Sequence, residues 1–156
     1  MDQLIQRISL IKDGLNHKRV ASKRRNILAI DGGGVRIIIP MIILMALEEK
    51  TTRSICSMFD MFGGTSMGAF LVSALNKPKN MNELGYPKYT TLDVFQYFKD
   101  NLNNFFKPNP TVIDKKTGKP AAIKAKLMGE PMYQSKSIKK MLDVYFFENK
   151  INLLVN

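Results

Sequence analysis

The order of apolar segments along the chain predicts an α/β fold with a parallel sheet. A short β-type segment, Ile27–Ile30, stops at consecutive glycines, and the apolar segment that begins near Val35 has the length of a helix. A second apolar run, Ile55–Phe62, also stops at glycines, and a second helix is expected over Ser66–Leu75. A strand, a helix, a strand and a helix in this order make a βαβ unit with a right-handed crossover.

The N-terminal residues predict a separate amphipathic helix. Residues 3–11 carry apolar side chains at helical spacing, and Gly14 follows them as a stop signal. A basic linker then leads to the first strand. We therefore divide the chain into residues 1–25, the helix and its linker, and residues 26–156, a partial domain of the α/β class.

The C-terminal half predicts a second amphipathic helix and a long loop. Thr90 and Asp93 have the spacing of a capping box at the start of that helix. Its apolar face, which fits core or lid packing better than a cofactor site, contains Leu92, Phe95, Phe98, Leu102 and Phe105. Residues 107–131 predict an exposed loop, because they are rich in Pro, Gly and Lys.

Two further elements are predicted near the end of the sequence. Ser135 or Ser137 is expected to cap a helix, and Ile151–Asn156 resembles the start of a strand.

The composition is that of a globular protein. Apolar residues make up 45% of the 156 residues, and the single cysteine, Cys56, excludes an intrachain disulfide and has the neighbours of a buried core thiol. The N-terminus lacks the uninterrupted apolar stretch of a secretory signal. The longest apolar stretch, Ile37–Leu47, contains Pro40 and is shorter than the roughly 20 residues of a membrane span. We expect a cytoplasmic or peripheral membrane protein.

The charge balance is strongly basic. The formal net charge is +11, and the basic residues cluster over Lys12–Arg25 and Lys115–Lys126. Such charge favours anionic lipid surfaces, nucleic acids or acidic partners, and a solvated basic face is an equally good interpretation. Neither cluster is interleaved with aromatic residues, so we expect no nucleic-acid binding and allow peripheral contact with an anionic membrane.

The sequence Gly64-Thr-Ser66-Met-Gly68 is a G-x-S-x-G motif between a predicted strand and a predicted helix. This context is that of a nucleophile elbow, in which a tight turn projects the serine hydroxyl. Gly64 and Gly68 are required there because side chains would collide across the turn. The helix that follows directs unpaired N–H groups and its positive end at a developing oxyanion.

The sequence Asp31-Gly-Gly-Gly follows the first strand and is rare by composition alone. Consecutive glycines can form a backbone nest whose N–H groups point at an anion. An ordinary tight turn between a strand and a helix is the alternative interpretation. A dinucleotide site needs G-x-G-x-x-G, and the sixth position here is Ile37.

In combination, Asp31-Gly-Gly-Gly-Val-Arg36, one crossover helix and the Ser66 motif resemble the patatin-like phospholipase family. The resemblance is strongest over Asn26–Leu75 and extends more loosely to Pro131 and Tyr133. It implies a three-layer α/β/α fold with a mainly parallel sheet, of which this chain holds an apparently truncated N-terminal part. It also implies hydrolysis of phospholipid or other lipid esters by a Ser–Asp dyad, without a metal or a cofactor.

The resemblance assigns roles to residues that match its motifs. Ser66 matches the nucleophile, and Gly64 and Gly68 match the elbow. The oxyanion loop corresponds to Gly32, Gly33 and Gly34. Arg36 stands at the basic position, where it contacts either a lipid phosphate or a core carboxylate. Asp31 is expected to order the glycine loop and is not assigned as a base.

Two departures from the family pattern stand out. Ile37 replaces the usual glycine after Val-Arg, which puts a β-branched side chain near the loop. The family base is the aspartate of a later Asp-Gly-Gly or Asp-Gly-Ala, but glycine follows none of the aspartates after Ser66, namely Asp93, Asp100, Asp114 and Asp143. The single histidine, His17, precedes the first strand and is a poor candidate for the base. We therefore expect a fragment without its catalytic aspartate, or a non-catalytic remnant that binds anionic lipid.

Overall fold

A computed structural model of the chain describes residues 1–18, 24–80, 82 and 86–114, together with positions 117, 133, 139, 142 and 143. Contacts divide the chain into two compact units, Met1–Lys99 and Asp100–Asn156. The boundary that the sequence places after residue 25 stays a prediction.

The described residues combine helices with a small parallel sheet, which confirms the predicted α/β class. Five α-helices are described: α1 Asp2–Ile11, α2 Ile38–Thr51, α3 Ile55–Met58, α4 Met67–Asn76 and α5 Thr91–Phe105. Two strands are described, β1 Ile27–Ile30 and β2 Met61–Gly64, and 3-10 turns cover Lys12–Gly14, Gly34–Ile37 and Pro110–Val112.

Strands β1 and β2 pair in parallel, with Ile27 opposite Met61 and Ile30 opposite Gly64. At their start the carbonyl of Asn26 accepts the Asp60 N–H at 2.7 Å, and the Asn26 N–H donates to the Asp60 carboxylate at 2.9 Å. Because the strands are parallel and in this register, their carboxyl ends lie side by side. The segments that follow Ile30 and Gly64 therefore begin at the same edge of the sheet.

The crossover between the strands starts with a 3-10 turn and continues as α2. The predicted helix start near Val35 is thus a tighter turn, and the α-helix begins at Ile38. Pro40 is the third residue of α2, where a missing N–H removes no intrahelical bond. The helix ends at Thr51, and the next residue, Thr52, has a left-handed φ of 51°.

The prediction of one β-type run over Ile55–Phe62 is wrong for its first half, which forms helix α3. The Ile55 N–H at the start of this helix donates to a carboxylate oxygen of Glu48 at 3.2 Å. Because this acceptor lies in α2, the residues around Ile55 do not by themselves predict a helix there. Strand β2 begins at Met61, whose N–H donates to the Asn26 carbonyl at 3.3 Å.

The core of the first unit forms where helices pack around the sheet. Helix α1 lies on α2, with Ile8 fully buried and an Arg7–Glu49 ion pair of 2.8 Å at its rim. The predicted capping box is confirmed, because the Thr90 N–H donates to Asp93 at 2.9 Å and the Asp93 N–H donates to the Thr90 hydroxyl at 3.3 Å. In the part of α5 that belongs to this unit, the predicted apolar face is buried at Leu92, Phe95 and Phe98. In the part that belongs to the second unit, Phe105 is buried and Leu102 is half-buried.

The second unit contains a short ordered turn within the predicted loop. Pro110–Val112 forms a 3-10 turn, the Asn109 side chain accepts the Thr111 N–H at 3.3 Å, and Val112 is fully buried. The expectation of exposure holds for Pro110 and Thr111 and is wrong at Val112. Apart from position 117, residues 115–131 lie outside the described residues, as do the predicted caps Ser135 and Ser137 and the run Ile151–Asn156.

Candidate active site

Ser66 stands between β2 and α4 in a strained backbone conformation. Its φ is 50° and its ψ is −125°, in the positive-φ half of the map that residues with a side chain rarely occupy. Helix α4 begins at the next residue, and the Ser66 carbonyl accepts the Phe70 N–H at 3.2 Å. The side chain is exposed. This geometry is that of a serine projected from a sharp strand-to-helix turn.

The two glycines of the elbow lie where no side chain fits. A Cβ atom on Gly68 would overlap the carbonyl oxygen of Ile30, at the end of β1. A Cβ atom on Gly64 would lie 2.6 Å from the Ala69 nitrogen and 2.7 Å from the Gly68 oxygen. The glycines therefore let β1, β2 and the start of α4 approach one another closely. A side chain at either position would force these segments apart at the Ser66 turn.

The glycine loop after β1 lies directly against the elbow. A Cβ atom on Gly32 would come within 2.7 Å of the Ser66 Cβ and 2.8 Å of the Thr65 oxygen. The Gly32 N–H donates to the Thr65 hydroxyl at 2.7 Å. Gly34 has a φ of 57°, a left-handed conformation that glycine adopts without strain. The structure thus brings the predicted loop and the predicted nucleophile into contact.

Several N–H groups near Ser66 have no acceptor in the described part of the chain. They belong to Gly33 and Gly34 in the loop and to Met67, the first residue of α4. The N–H of Arg36, in contrast, closes the 3-10 turn onto the Gly33 carbonyl at 3.1 Å. Unpaired N–H groups beside a helix N-terminus are suited to bind an anionic oxygen.

Arg36 and Ile37 have opposite environments. Arg36 is exposed, and within the described residues it forms no ion pair with a carboxylate. Ile37 is buried to 1% exposure in the core. The β-branched side chain that departs from the family pattern therefore contributes to the core.

Three of the other ionisable residues that were weighed as the base lie in a helix or in a packing contact. Asp93 belongs to the capping box of α5 and pairs with Lys12 at 3.4 Å. His17 packs edge-on against Tyr86, and burial followed by the charge of Lys79 lowers the pKa of its imidazole. Asp100 lies on α5, as predicted.

Of the first basic cluster, the structure describes Lys12, Lys18, Arg24 and Arg25, and ion pairs are seen at Lys12 and Arg25. Besides Lys12, Arg25 contacts the Asp60 carboxylate at 3.4 Å. Most of the second basic cluster, Lys115–Lys126, lies outside the described residues.

The sequence analysis missed Glu48, a carboxyl buried to 1% exposure in α2. One carboxylate oxygen accepts the Ile55 N–H at 3.2 Å, and the other accepts the Thr91 N–H at 3.1 Å. Burial raises the pKa of Glu48 to about 7, although the two backbone hydrogen bonds oppose the shift. Its helical spacing from the buried Met41, Leu44 and Met45 is the sequence signal that would have found it.

Thr65, whose hydroxyl holds the Gly32 N–H, was also missed, because the motif treats its position as variable. Cys56 is buried, as predicted, with its sulfur 3.4 Å from the Ser54 hydroxyl oxygen.

The described residues contain neither a candidate metal cluster nor a candidate membrane-spanning helix. No three His, Cys, Asp or Glu residues among them group as metal ligands would. None of the helices that can be described has both the length and the apolar character to cross a bilayer.

Comparisons with known proteins agree on one family. The model of the Patatin-like phospholipase family matches residues 28–156. Patatin-like protein 1 of Arabidopsis thaliana is 29% identical over 132 residues, which cover 81% of this chain and 30% of that protein. The probable inactive patatin-3-Kuras 1 of Solanum tuberosum is 32% identical over 53% of this chain and 23% of its own length.

A third relative carries an activity in its name. The intracellular phospholipase A2 of Caenorhabditis elegans is 33% identical over 47% of this chain and 7% of its own length. No solved structure gives a significant match. The chain thus spans less than a third of the length of these curated relatives. Because the family model covers most of the sequence, including the glycine loop and the Ser66 elbow, the chain belongs to the patatin-like phospholipase family.

Proposed function

We propose that this chain is the nucleophile-bearing part of a serine lipid acyl hydrolase, with Ser66 as the nucleophile. The observation that carries the proposal is the strained Ser66 turn packed against the Gly32–Gly34 loop. Strain of this kind, of order 1–3 kcal/mol, persists only where surrounding contacts impose it, and it clusters at functional sites. Family membership at the level of phospholipase-like proteins supports the same chemistry.

In the proposed reaction the Ser66 Oγ attacks the carbonyl carbon of a lipid ester. A new C–O bond forms while the carbonyl π electrons move to its oxygen, and the N–H groups of the glycine loop and the α4 N-terminus stabilise that charge. Collapse of the intermediate breaks the ester C–O bond and releases the alcohol, which takes up the serine proton through the base. Water then releases the fatty acid from the acyl-serine.

The base is proposed to be the aspartate of a Ser–Asp dyad that is not among residues 1–156. Asp93 is engaged in the α5 cap and the Lys12 ion pair, which argues against that role for it. A serine without a base is a weak nucleophile. We therefore expect the isolated chain to hydrolyse phospholipid esters poorly or not at all.

The proposed substrates are phospholipids or other membrane lipid esters. The exposed Arg36, two residues beyond the loop, is suited to contact a lipid phosphate. The net charge of +11 favours peripheral contact with an anionic bilayer. No cofactor is required by this chemistry.

The test is labelling of the purified chain with a fluorophosphonate probe, alongside hydrolysis of phospholipid vesicles. We expect slow labelling of the unmodified chain, none of Ser66→Ala, and little vesicle hydrolysis by either. Rapid hydrolysis that Ser66→Ala abolishes would show that a base lies within residues 1–156. Labelling that persists in Ser66→Ala would overturn the assignment of the nucleophile.

The second candidate function is a non-catalytic domain that binds anionic lipid. It is favoured by the net charge of +11 and by the similarity to a patatin named as probably inactive. It predicts salt-sensitive binding to anionic vesicles that is unchanged in Ser66→Ala, together with no probe labelling. Absence of binding at low salt would exclude it.

A further inference from the structure

Thr65 connects the glycine loop to the nucleophile elbow through its side chain and its backbone. Its hydroxyl accepts the Gly32 N–H at 2.7 Å. Its own N–H donates to the Ile30 carbonyl at 3.2 Å, and its carbonyl accepts the Gly68 N–H at 2.8 Å. One residue therefore contacts the end of β1, the loop after β1 and the first turn of α4.

The position of Gly32 makes this hydrogen bond relevant to the nucleophile. The Cβ that Gly32 lacks would lie 2.7 Å from the Ser66 Cβ, so the loop backbone is already at contact distance from Ser66. A loop held this closely cannot move toward Ser66, but only attractive contacts prevent it from moving away. The hydrogen bond to the Thr65 hydroxyl opposes that outward movement.

The same hydrogen bond divides the loop donors into two classes. The Gly32 N–H is used within the protein, whereas the N–H groups of Gly33 and Gly34 have no acceptor in the described residues. The latter two remain for an oxyanion. The loop glycine that contacts Ser66 thus differs in role from the two that follow it.

We propose that Thr65 is a positioning residue of the hydrolase site: its hydroxyl anchors the Gly32 N–H and so holds the Gly33 and Gly34 donors in register with Ser66. This inference rests on the proposed function for its catalytic consequence. The anchor itself is a property of the folded chain. It also reassigns Gly32 from oxyanion donor to anchor point.

The experiment compares Thr65→Val, which keeps the side-chain shape and loses the acceptor, with Thr65→Ser, which keeps the hydroxyl. The first readout is the Gly32 amide in ¹⁵N-resolved spectra, with its hydrogen-exchange rate. The second is the rate constant for fluorophosphonate labelling of Ser66. Far-UV circular dichroism establishes that both variants are folded, and Ser66→Ala gives the background.

In Thr65→Val we expect Gly32 exchange to accelerate by about fivefold, the equilibrium equivalent of one net hydrogen bond. We expect labelling to slow by about tenfold, because small displacements of reacting groups lower the reaction rate strongly. Thr65→Ser should restore both values to within about threefold of the unmodified chain, given that it retains the acceptor.

The outcomes separate the anchor from the chemistry. Unchanged Gly32 exchange in Thr65→Val overturns the anchor, and faster exchange with unchanged labelling overturns its positioning role. If Thr65→Ser does not restore labelling, the proposed positioning role of the Thr65 hydroxyl is also contradicted. If the unmodified chain is not labelled, the proposed function fails, and the anchor is then judged on Gly32 exchange alone.

Discussion

Glu48→Gln tests how one buried carboxyl connects three helices. Glu48 lies in α2, and its two oxygens accept N–H groups at the starts of α3 and α5. Among the described residues it is the one ionisable carboxyl that is buried. Asp93 adds a repulsive charge nearby, although Lys12 pairs with that aspartate. The substitution removes the ionisation and retains the size of the side chain.

The expected effect follows from the raised pKa. The value of about 7 in the folded chain exceeds the ordinary 4.5, so folding favours the protonated carboxyl. The stabilisation is complete below pH 4.5, declines as the pH rises through 7, and is absent above it. At about 1.4 kcal/mol per pH unit, the interval from 4.5 to about 7 corresponds to about 3 kcal/mol. That is a large part of the 5–15 kcal/mol typical of a domain.

The measurement is urea unfolding followed by circular dichroism from pH 4 to pH 8. At low pH the hydroxyl oxygen of the protonated Glu48 carboxyl can still accept an N–H, whereas the Gln amide nitrogen cannot. The variant should therefore lose about 1–3 kcal/mol at low pH from an unpaired N–H. Between pH 4 and pH 8 the advantage of the unmodified chain should shrink by about 3 kcal/mol and can reverse. Parallel pH profiles of the two proteins would refute the reasoning.

Glu49→Gln is the matched control, one residue further along α2. Glu49 pairs with Arg7 at the surface, with the two side chains 22% and 59% exposed. Surface ion pairs contribute about 0–1 kcal/mol, so this variant should remain within that range of the unmodified chain at every pH. If the free energy of unfolding of Glu49→Gln changed with pH in the same way as that of Glu48→Gln, burial of Glu48 would not be the cause of the pH dependence.

Three further predictions concern the elbow, a helix cap and the core. Gly68→Ala should prevent formation of the elbow, because its Cβ overlaps the Ile30 carbonyl, whereas Gly14→Ala, with no atom within 4 Å, should leave the denaturation midpoint almost unchanged. Thr90→Ala should lower the free energy of unfolding by about 0.5–2 kcal/mol by removing the capping box, with loss of α5 helicity as the spectroscopic check. Phe98→Ala should cost about 3–5 kcal/mol in urea unfolding, since the ring is fully buried; a loss below 1 kcal/mol would show that α5 does not pack as described.

Local signals predicted much of the fold. Strand β1 ends at glycines, and the Thr90–Asp93 box marks the start of α5, so both elements could be located from neighbours in sequence. The first half of Ile55–Phe62 could not, because its helix is completed by Glu48 from another helix. Apolar composition alone does not distinguish a short helix from a short strand.

In the candidate site, too, some residues could be predicted from local sequence and others could not. The glycines and Ser66 were found because their backbone requirements restrict the residue type at each position. Thr65 and Glu48 were missed because their roles depend on partners that are distant in sequence. The Gly32–Thr65 hydrogen bond spans 33 positions and the Glu48–Thr91 bond spans 43. Such partners become visible only once parallel strands or packed helices bring them together.

The contacts at the carboxyl ends of the two strands determine which measurements would reveal the absence of a base. The parallel register places Ile30 beside Gly64, the Gly68 backbone contacts the Ile30 carbonyl, and the Gly32 backbone contacts Ser66. All of these contacts lie within residues 30–68, so Ser66 and the glycine loop are held against each other by contacts made inside this stretch. Slow labelling of Ser66 in a folded chain with a protected Gly32 amide would therefore point to an absent base. Slow labelling with a fast-exchanging Gly32 amide would point to a misplaced loop, so the two measurements together separate deficient activation from deficient positioning.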